Sequence, residues 1–258
     1  MSPTDLPTIL LVPGAFGKPE AFDPILPYLE KAGFVTRAGP YPSFNPADPY
    51  ATTYENDTIF LHDNVLLPLL EQRKDVIVLA HSYGGVVAAG AVKDLDKQAR
   101  RAEGHVTGVI GLIYIAGNIM LKDESLLGAS GGHPPFIKTD KPSKGLAVIE
   151  PAMEILYNDC DPALESEFAK HTYPHSLLAF ATPATAPGWA DKAFDGRRAY
   201  VRTLKDNCNP SWVQDAWLEK SKVQWDVIDF DTGHMPFISQ PEALAATIVK
   251  VSNGFRSS

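Results

Sequence analysis

The chain has 258 residues, 45% of them hydrophobic and 21% charged, with 31 acidic against 23 basic side chains and a formal net charge of −8. That length suits a single large α/β domain, and a core of such size needs no disulfide or metal to be stable. The apolar fraction excludes intrinsic disorder, the acidic balance argues against nucleic acid as a partner, and the two cysteines, Cys160 and Cys208, supply neither a disulfide framework nor a CxxC-type metal site.

The first residues lack a basic leader region, and the apolar run 9–12 stops at Pro13-Gly14, too short for a signal sequence. The longest apolar stretch, 108–117, is half of what a membrane span requires. A cytoplasmic protein with no membrane partner is therefore expected; the sequence leaves a homodimer open.

Short β-branched runs alternate with helical patterns, which predicts a mostly parallel, doubly wound α/β sheet of six strands. The strands are expected at residues 8–12, 34–38, 75–80, 109–115, 199–204 and 224–230. Several are continuously apolar, as strands covered on both faces are. Helices are expected at 21–32, at 57–72 with a kink at Pro68, and at 86–101 with a cationic last turn. Two more are expected at 210–220, behind an N-cap at Asn209, and at 242–251.

Between the fourth and fifth strands lie about 80 residues, far more than one crossover helix needs. This stretch holds eight of the 22 prolines, a glycine-proline loop at 131–135, and the aromatics Tyr157, Phe168, Tyr173, Phe180 and Trp189. A small hairpin is expected from 136–138 and 146–149, and a short helix at 162–170. The expected organisation is a core of 1–118 and 199–258, with 119–198 inserted as a cap over the carboxyl edge of the sheet.

The sharpest local signal is Ala80-His81-Ser82-Tyr83-Gly84-Gly85, entered from a buried strand and left as a helix. A serine on a tight strand-to-helix turn presents its hydroxyl as a nucleophile, and small residues two positions either side let the backbones approach. Such a serine needs a base and an acid that orients the base, in the chain order Ser, Asp, His for this architecture. Asp206 follows the fifth strand and His234 the sixth, so Ser82, Asp206 and His234 are the expected catalytic residues. Asp231 is the rival acid, but three residues from His234 on one loop it is poorly placed to orient that ring.

After the first strand, Val12-Pro13-Gly14-Ala15-Phe16-Gly17 supplies a flexible loop. An oxyanion hole from the backbone amides of Ala15 and Tyr83 is expected there. A dinucleotide loop is rejected, since the G-x-G-x-x-G spacing and the acidic end of the second strand are missing. The His171–His175 pair has helical spacing but contains Pro174 and lacks a following Glu, so no zinc site is expected. No cofactor and no metal are expected. Phe16, Met235 and Phe237 flank the catalytic groups and, with Tyr157 and Asp159 from the cap, are expected to contact substrate.

Taken together, Val-Pro-Gly-Ala-Phe-Gly at 12–17, Ala-His-Ser-Tyr-Gly-Gly at 80–85, Tyr-Val-Arg-Thr-Leu-Lys-Asp ending at Asp206, and Gly-His-Met at 233–235 resemble the α/β-hydrolases. The similarity is to the branch of plant methylesterases, hydroxynitrile lyases and their microbial relatives. It implies the α/β-hydrolase fold and ester hydrolysis through Ser82, Asp206 and His234. The lyases carry a lysine close after the histidine and a threonine in the first loop; Met235 and Gly14 stand here, as in the esterases. A serine hydrolase of a small, largely apolar carboxylic ester or lactone is the resulting expectation. The alternatives are a C–C lyase or cyclase using the same triad as acid and base, and a ligand-binding receptor on this scaffold.

Overall fold

The computed structural model describes residues 6–257. Along the chain come β1 (Thr8–Val12), β2 (Val35–Ala38), β3 (Val76–His81), β4 (Val109–Ile115), β5 (Ile137–Thr139), β6 (Leu146–Ile149), β7 (His175–Ser176), β8 (Arg198–Thr203) and β9 (Asp226–Phe230). Six of these form one parallel sheet in the order β2-β1-β3-β4-β8-β9. Every residue of β1, β3 and β4 is buried, which explains their continuous apolar sequences, whereas edge strands β2 and β9 are largely exposed.

The chain runs outward from β1 to β2, then returns past β1 to β3, so the strand order reverses between β1 and β3. In open α/β sheets the crevice at such a reversal, outside the carboxyl ends of the strands, is where ligands bind. Val12 lies in register with Ala80, which sets the loop at 13–17 beside the turn at Ser82.

Several expected helices differ in detail, among them the one at 21–32, which is a 3-10 stretch, Pro19–Ile25, running into a short α-helix, Leu26–Lys31. The expected helix over 86–101 is two: Gly84–Ala91 and Lys97–Ala102. Asp94 takes a left-handed φ of 62°, and the Asp96 carboxylate accepts from the amides of Gln98 and Ala99 to cap a new start. The helix expected at 57–72 begins at Tyr54 behind a Thr53/Asn56 capping box and widens into a π-helical stretch, Leu61–Leu66, ahead of Pro68. The wider turn relieves the clash of the proline ring with the preceding carbonyls. Asn209 does not cap the helix Ser211–Ser221; its side-chain Nδ2 donates to the Ala116 carbonyl, and Pro210 stands at the cap.

Within 119–198, β5, β6 and β7 form a second, antiparallel sheet, one strand larger than the expected hairpin. Bridges Phe44↔His175 and Gly17↔Thr172 tie it to the loops after β2 and β1. Where this stretch meets β8, the buried Arg198 guanidinium donates to the Trp189 and Asp191 carbonyls and the Asp195 carboxylate. No helix among the described residues is long and apolar enough to cross a membrane.

Candidate active site

β3 ends at His81, and the next residue, Ser82, has φ of 50° before the chain enters the helix Gly84–Ala91. A non-glycine residue in the left-handed region is strained and persists only where its surroundings hold it. Here the Ser82 amide donates to the Ile115 carbonyl (3.1 Å), and the Ser82 carbonyl accepts from Gly85 and Asn118 (2.9 Å each). The end of β4 thus clamps the turn.

The loop after β1 seats directly on that turn. A Cβ on Gly84 would lie 2.3 Å from the Pro13 carbonyl oxygen, and one on Gly14 would lie 2.8 Å from Ser82 Cβ. Neither contact is tolerable, so the seating of the 13–17 loop on this turn depends on glycine at both places. Ala15, Phe16, Ser82 and Tyr83 all line one cavity of about 630 Å³.

His234 reaches the same cavity from the loop after β9. Its Nδ1 lies 2.7 Å from Asp206 Oδ2. With the carboxylate accepting, Nδ1–H donates, and on the neutral ring Nε2 carries the lone pair. Asp206 is itself immobilised: Thr203 Oγ1 donates to Oδ2 (2.8 Å), and the amides of Cys208 and Asn209 donate to Oδ1 (2.8 Å each). His81 lies beneath, its Nε2 2.9 Å from the His234 carbonyl. Burial and the neighbouring His234 hold His81 well below the usual histidine range, so it is a neutral donor that fixes the loop.

Burial pulls the His234 imidazole down, but the Asp206 carboxylate and the adjacent Cys208 thiol push it up and prevail. An imidazolium cannot accept a proton, so any activity needing this base is lost as pH falls through the raised value. The acid limb of kcat/KM is therefore expected above the ordinary histidine value of about 6.5. A pH–rate profile from 5 to 10 checks this; a limb centred at or below the ordinary value of about 6.5 refutes it.

Of the residues expected to contact substrate, Phe16 lines the cavity, and Tyr157, Met235 and Phe237 do not. Tyr157 is buried and stacks on Phe168 (4.4 Å between centroids). Phe237 packs behind the site between Phe22 and His81, and Met235 is buried at the entry to a short helix. Neighbouring positions in sequence point to opposite sides of a loop, which adjacency to His234 cannot reveal. Asp159 lies against Gly233, and Asp231 pairs with Lys205 on the surface.

Several cavity residues escaped the sequence. Cys208 and Asn209 arrive with the Asp206 turn, Trp212, Trp217 and Lys220 with the helix that follows, and His133 with the glycine-proline loop. The Asp-x-Cys-Asn-Pro spacing was the available signal, since a turn that wraps an acid must bring its next residues to the same place. The cavity wall is otherwise mostly apolar, with Leu126, Phe136, Leu156 and Phe180 from the stretch between β4 and β8. Lys220 is tied to Glu124 at 2.6 Å, which offsets its charge.

Residues 9–247 match the model of the alpha/beta hydrolase family. The chain is 26% identical over 246 residues to the alpha/beta hydrolase nvfD of Aspergillus novofumigatus, covering 94% of this chain and 95% of that one. It is 24% identical over 258 residues to a pyrethroid hydrolase of Sphingobium wenxiniae, covering 93% and 85%. Among solved structures, a pyrethroid hydrolase from Sphingobium faniae JZ-2 superposes with a TM-score of 0.72 at 20% identity, over 98% of this chain and 100% of that one. The methylesterase MES16 from Arabidopsis does so with 0.71 at 19% identity, over 96% and 99%.

Proposed function

From the premise that the chain belongs to the alpha/beta hydrolase family, we propose that it is a serine hydrolase of neutral, largely apolar carboxylic esters or lactones. The observation that carries this reading is that Ser82, on a strained turn, and His234, oriented by Asp206, open onto one greasy cavity. The names of the pyrethroid hydrolase and methylesterase relatives support an ester as substrate.

In the proposed reaction His234 Nε2 takes the proton from Ser82 as Oγ bonds to the substrate carbonyl carbon. The carbonyl electron pair moves onto oxygen, which the amides of Ala15 and Tyr83 stabilise. Collapse breaks the ester C–O bond, and His234 delivers its proton to the leaving alcohol. Water then repeats the sequence on the acyl-enzyme, releasing the acid and restoring Ser82. Residues 119–198 act as the cap: Leu126, Phe136 and Phe180 line the cavity and exclude bulk water, which strengthens the oxyanion contacts.

The neutral substrate class follows from charge. The protein carries a net −8, and the lysine at the cavity wall is already paired. A carboxylate on the substrate would enter an apolar chamber without a free counter-ion. A volume of about 630 Å³ suits a ligand of ordinary metabolite or drug size.

The test is a panel of p-nitrophenyl esters with a fluorophosphonate probe. Neutral butyrate and hexanoate esters are expected to turn over, with kcat/KM for the anionic hemisuccinate lower by roughly 100-fold, the cost of one poorly compensated charge. Preference for the hemisuccinate overturns the neutral class. Absence of both ester turnover and Ser82 labelling overturns the hydrolase reading.

A further inference from the structure

Behind the oxyanion loop lies a buried acid that the reaction above does not use. Asp57, fully buried in the helix Tyr54–Phe60, accepts from Tyr83 Oη at Oδ2 and from the Ser43 amide at Oδ1, both at 2.9 Å. Ser43 Oγ in turn lies 2.7 Å from Nε2 of His175, whose Nδ1 faces the Ser176 carbonyl at 3.2 Å, so Ser43 donates to the cap histidine. Two residues before Ser43, Tyr41 Oη donates to the Pro13 carbonyl at 2.8 Å. The Tyr41 and Tyr83 rings meet edge to face, and His175 stacks on Phe180 of the cavity wall.

We propose that Asp57 is the positioning residue of the oxyanion hole, holding the Tyr83 arm directly and the Pro13–Ala15 arm through the Ser43–Tyr41 segment. This deepens the hydrolase reading and rests on it. One carboxylate grips both supports: the side chain of the residue whose amide follows the nucleophile, and the loop whose tyrosine holds the Pro13 carbonyl, two residues before Ala15. Hydrogen-bond donors stabilise an oxyanion only when fixed where charge develops, so a junction of this kind acts on the transition state.

The chemistry of the junction supports a role in position over one in folding. The groups that hold Asp57 are the Ser43 amide and the Tyr83 hydroxyl. Burial pushes its carboxyl up to about 7, and the donors Ser43 and Tyr83 pull against that shift. A buried carboxyl without a cationic partner is a poor source of stability compared with apolar filling. Tyr41 and Tyr83 are themselves pushed well above the usual phenol range by burial and by Asp57, so both remain donors.

The experiment compares wild type with Asp57→Ala, Asp57→Asn, Tyr83→Phe and the double variant Asp57→Ala/Tyr83→Phe on p-nitrophenyl butyrate. Each is also titrated with an alkyl trifluoromethyl ketone and the matched alcohol. The ketone carbon bonds to Ser82 Oγ, the proton passes to His234, and the new alkoxide occupies the oxyanion hole; the alcohol only fills the cavity. Asp57→Ala is expected to lower kcat by about 10–100-fold with KM little changed, a fraction of the loss of a whole donor. It should weaken the ketone by the same factor and leave the alcohol unaffected. Tyr83→Phe should reproduce most of this, the double variant should lose no more than the worse single, and Asp57→Asn, which keeps one acceptor, should recover part.

Ketone and alcohol weakening in step, unchanged kcat, or losses that multiply in the double variant would overturn the proposal. Should Asp57→Ala not fold, Tyr83→Phe, which removes one oxygen atom, decides by the same split between ketone and alcohol. Wild-type protein that fails to bind the ketone overturns the hydrolase reading itself; wild-type binding that no variant alters overturns only the role of Asp57.

Discussion

Ser82→Ala is expected to lower kcat on ester substrates by on the order of 10⁴-fold or more while the protein stays folded. The substitution removes one oxygen atom and with it the whole covalent route, which is why its effect should match that of removing several triad members at once. Any residual rate would come from binding and from the oxyanion amides, which do not depend on the hydroxyl. Folding should be spared. The φ of 50° at position 82 is imposed by bonds from the Ile115 carbonyl and the Asn118 and Gly85 amides, all to backbone atoms that alanine retains. Steady-state turnover with a thermal melt checks both halves; kcat within tenfold of wild type would mean that another group attacks the substrate.

Asp206→Asn should cost kcat about 10⁴-fold, for a different reason. Four donors converge on this carboxylate: Thr203 Oγ1, His234 Nδ1 and the amides of Cys208 and Asn209. The amide oxygen of asparagine can serve the two backbone donors, which turns its NH₂ group toward Thr203 and His234. That NH₂ then donates to Nδ1 and drives the ring proton to Nε2, the atom that must accept from Ser82. The acid limb of the pH profile should also move down, because the charge that raises His234 is gone. Turnover within tenfold of wild type, or an unmoved limb, contradicts this arrangement.

The serine turn and the sheet share one cause for being readable. A strand covered on both faces must be apolar throughout, so β1, β3 and β4 stand out as uninterrupted runs. A serine turn needs small neighbours, so Ala80, Gly84 and Gly85 mark it. Both signals are local. The break at Asp94 was less visible, because charged residues continue a helical pattern equally well whether the backbone stays helical or turns left-handed. The strand β7 is two residues long and has no periodicity to detect.

Side-chain direction within loops was beyond reach for the same reason. Met235 and Phe237 follow His234 in sequence yet face the core, while Trp212 and Lys220 reach the cavity from a helix that the Asp206 turn aims at it.

Short-range order along the chain thus settled the strand-and-helix alternation and the tight serine turn, since each is enforced by bonds and sterics among near neighbours. The chamber and its supports are another matter. Asp57 meets Tyr83 across 26 residues and Ser43 meets His175 across 132, contacts that exist only once the layers have packed. No periodicity encodes which buried acid finds which hydroxyl, because packing, unlike strand or helix formation, depends on distances that the order of residues does not carry.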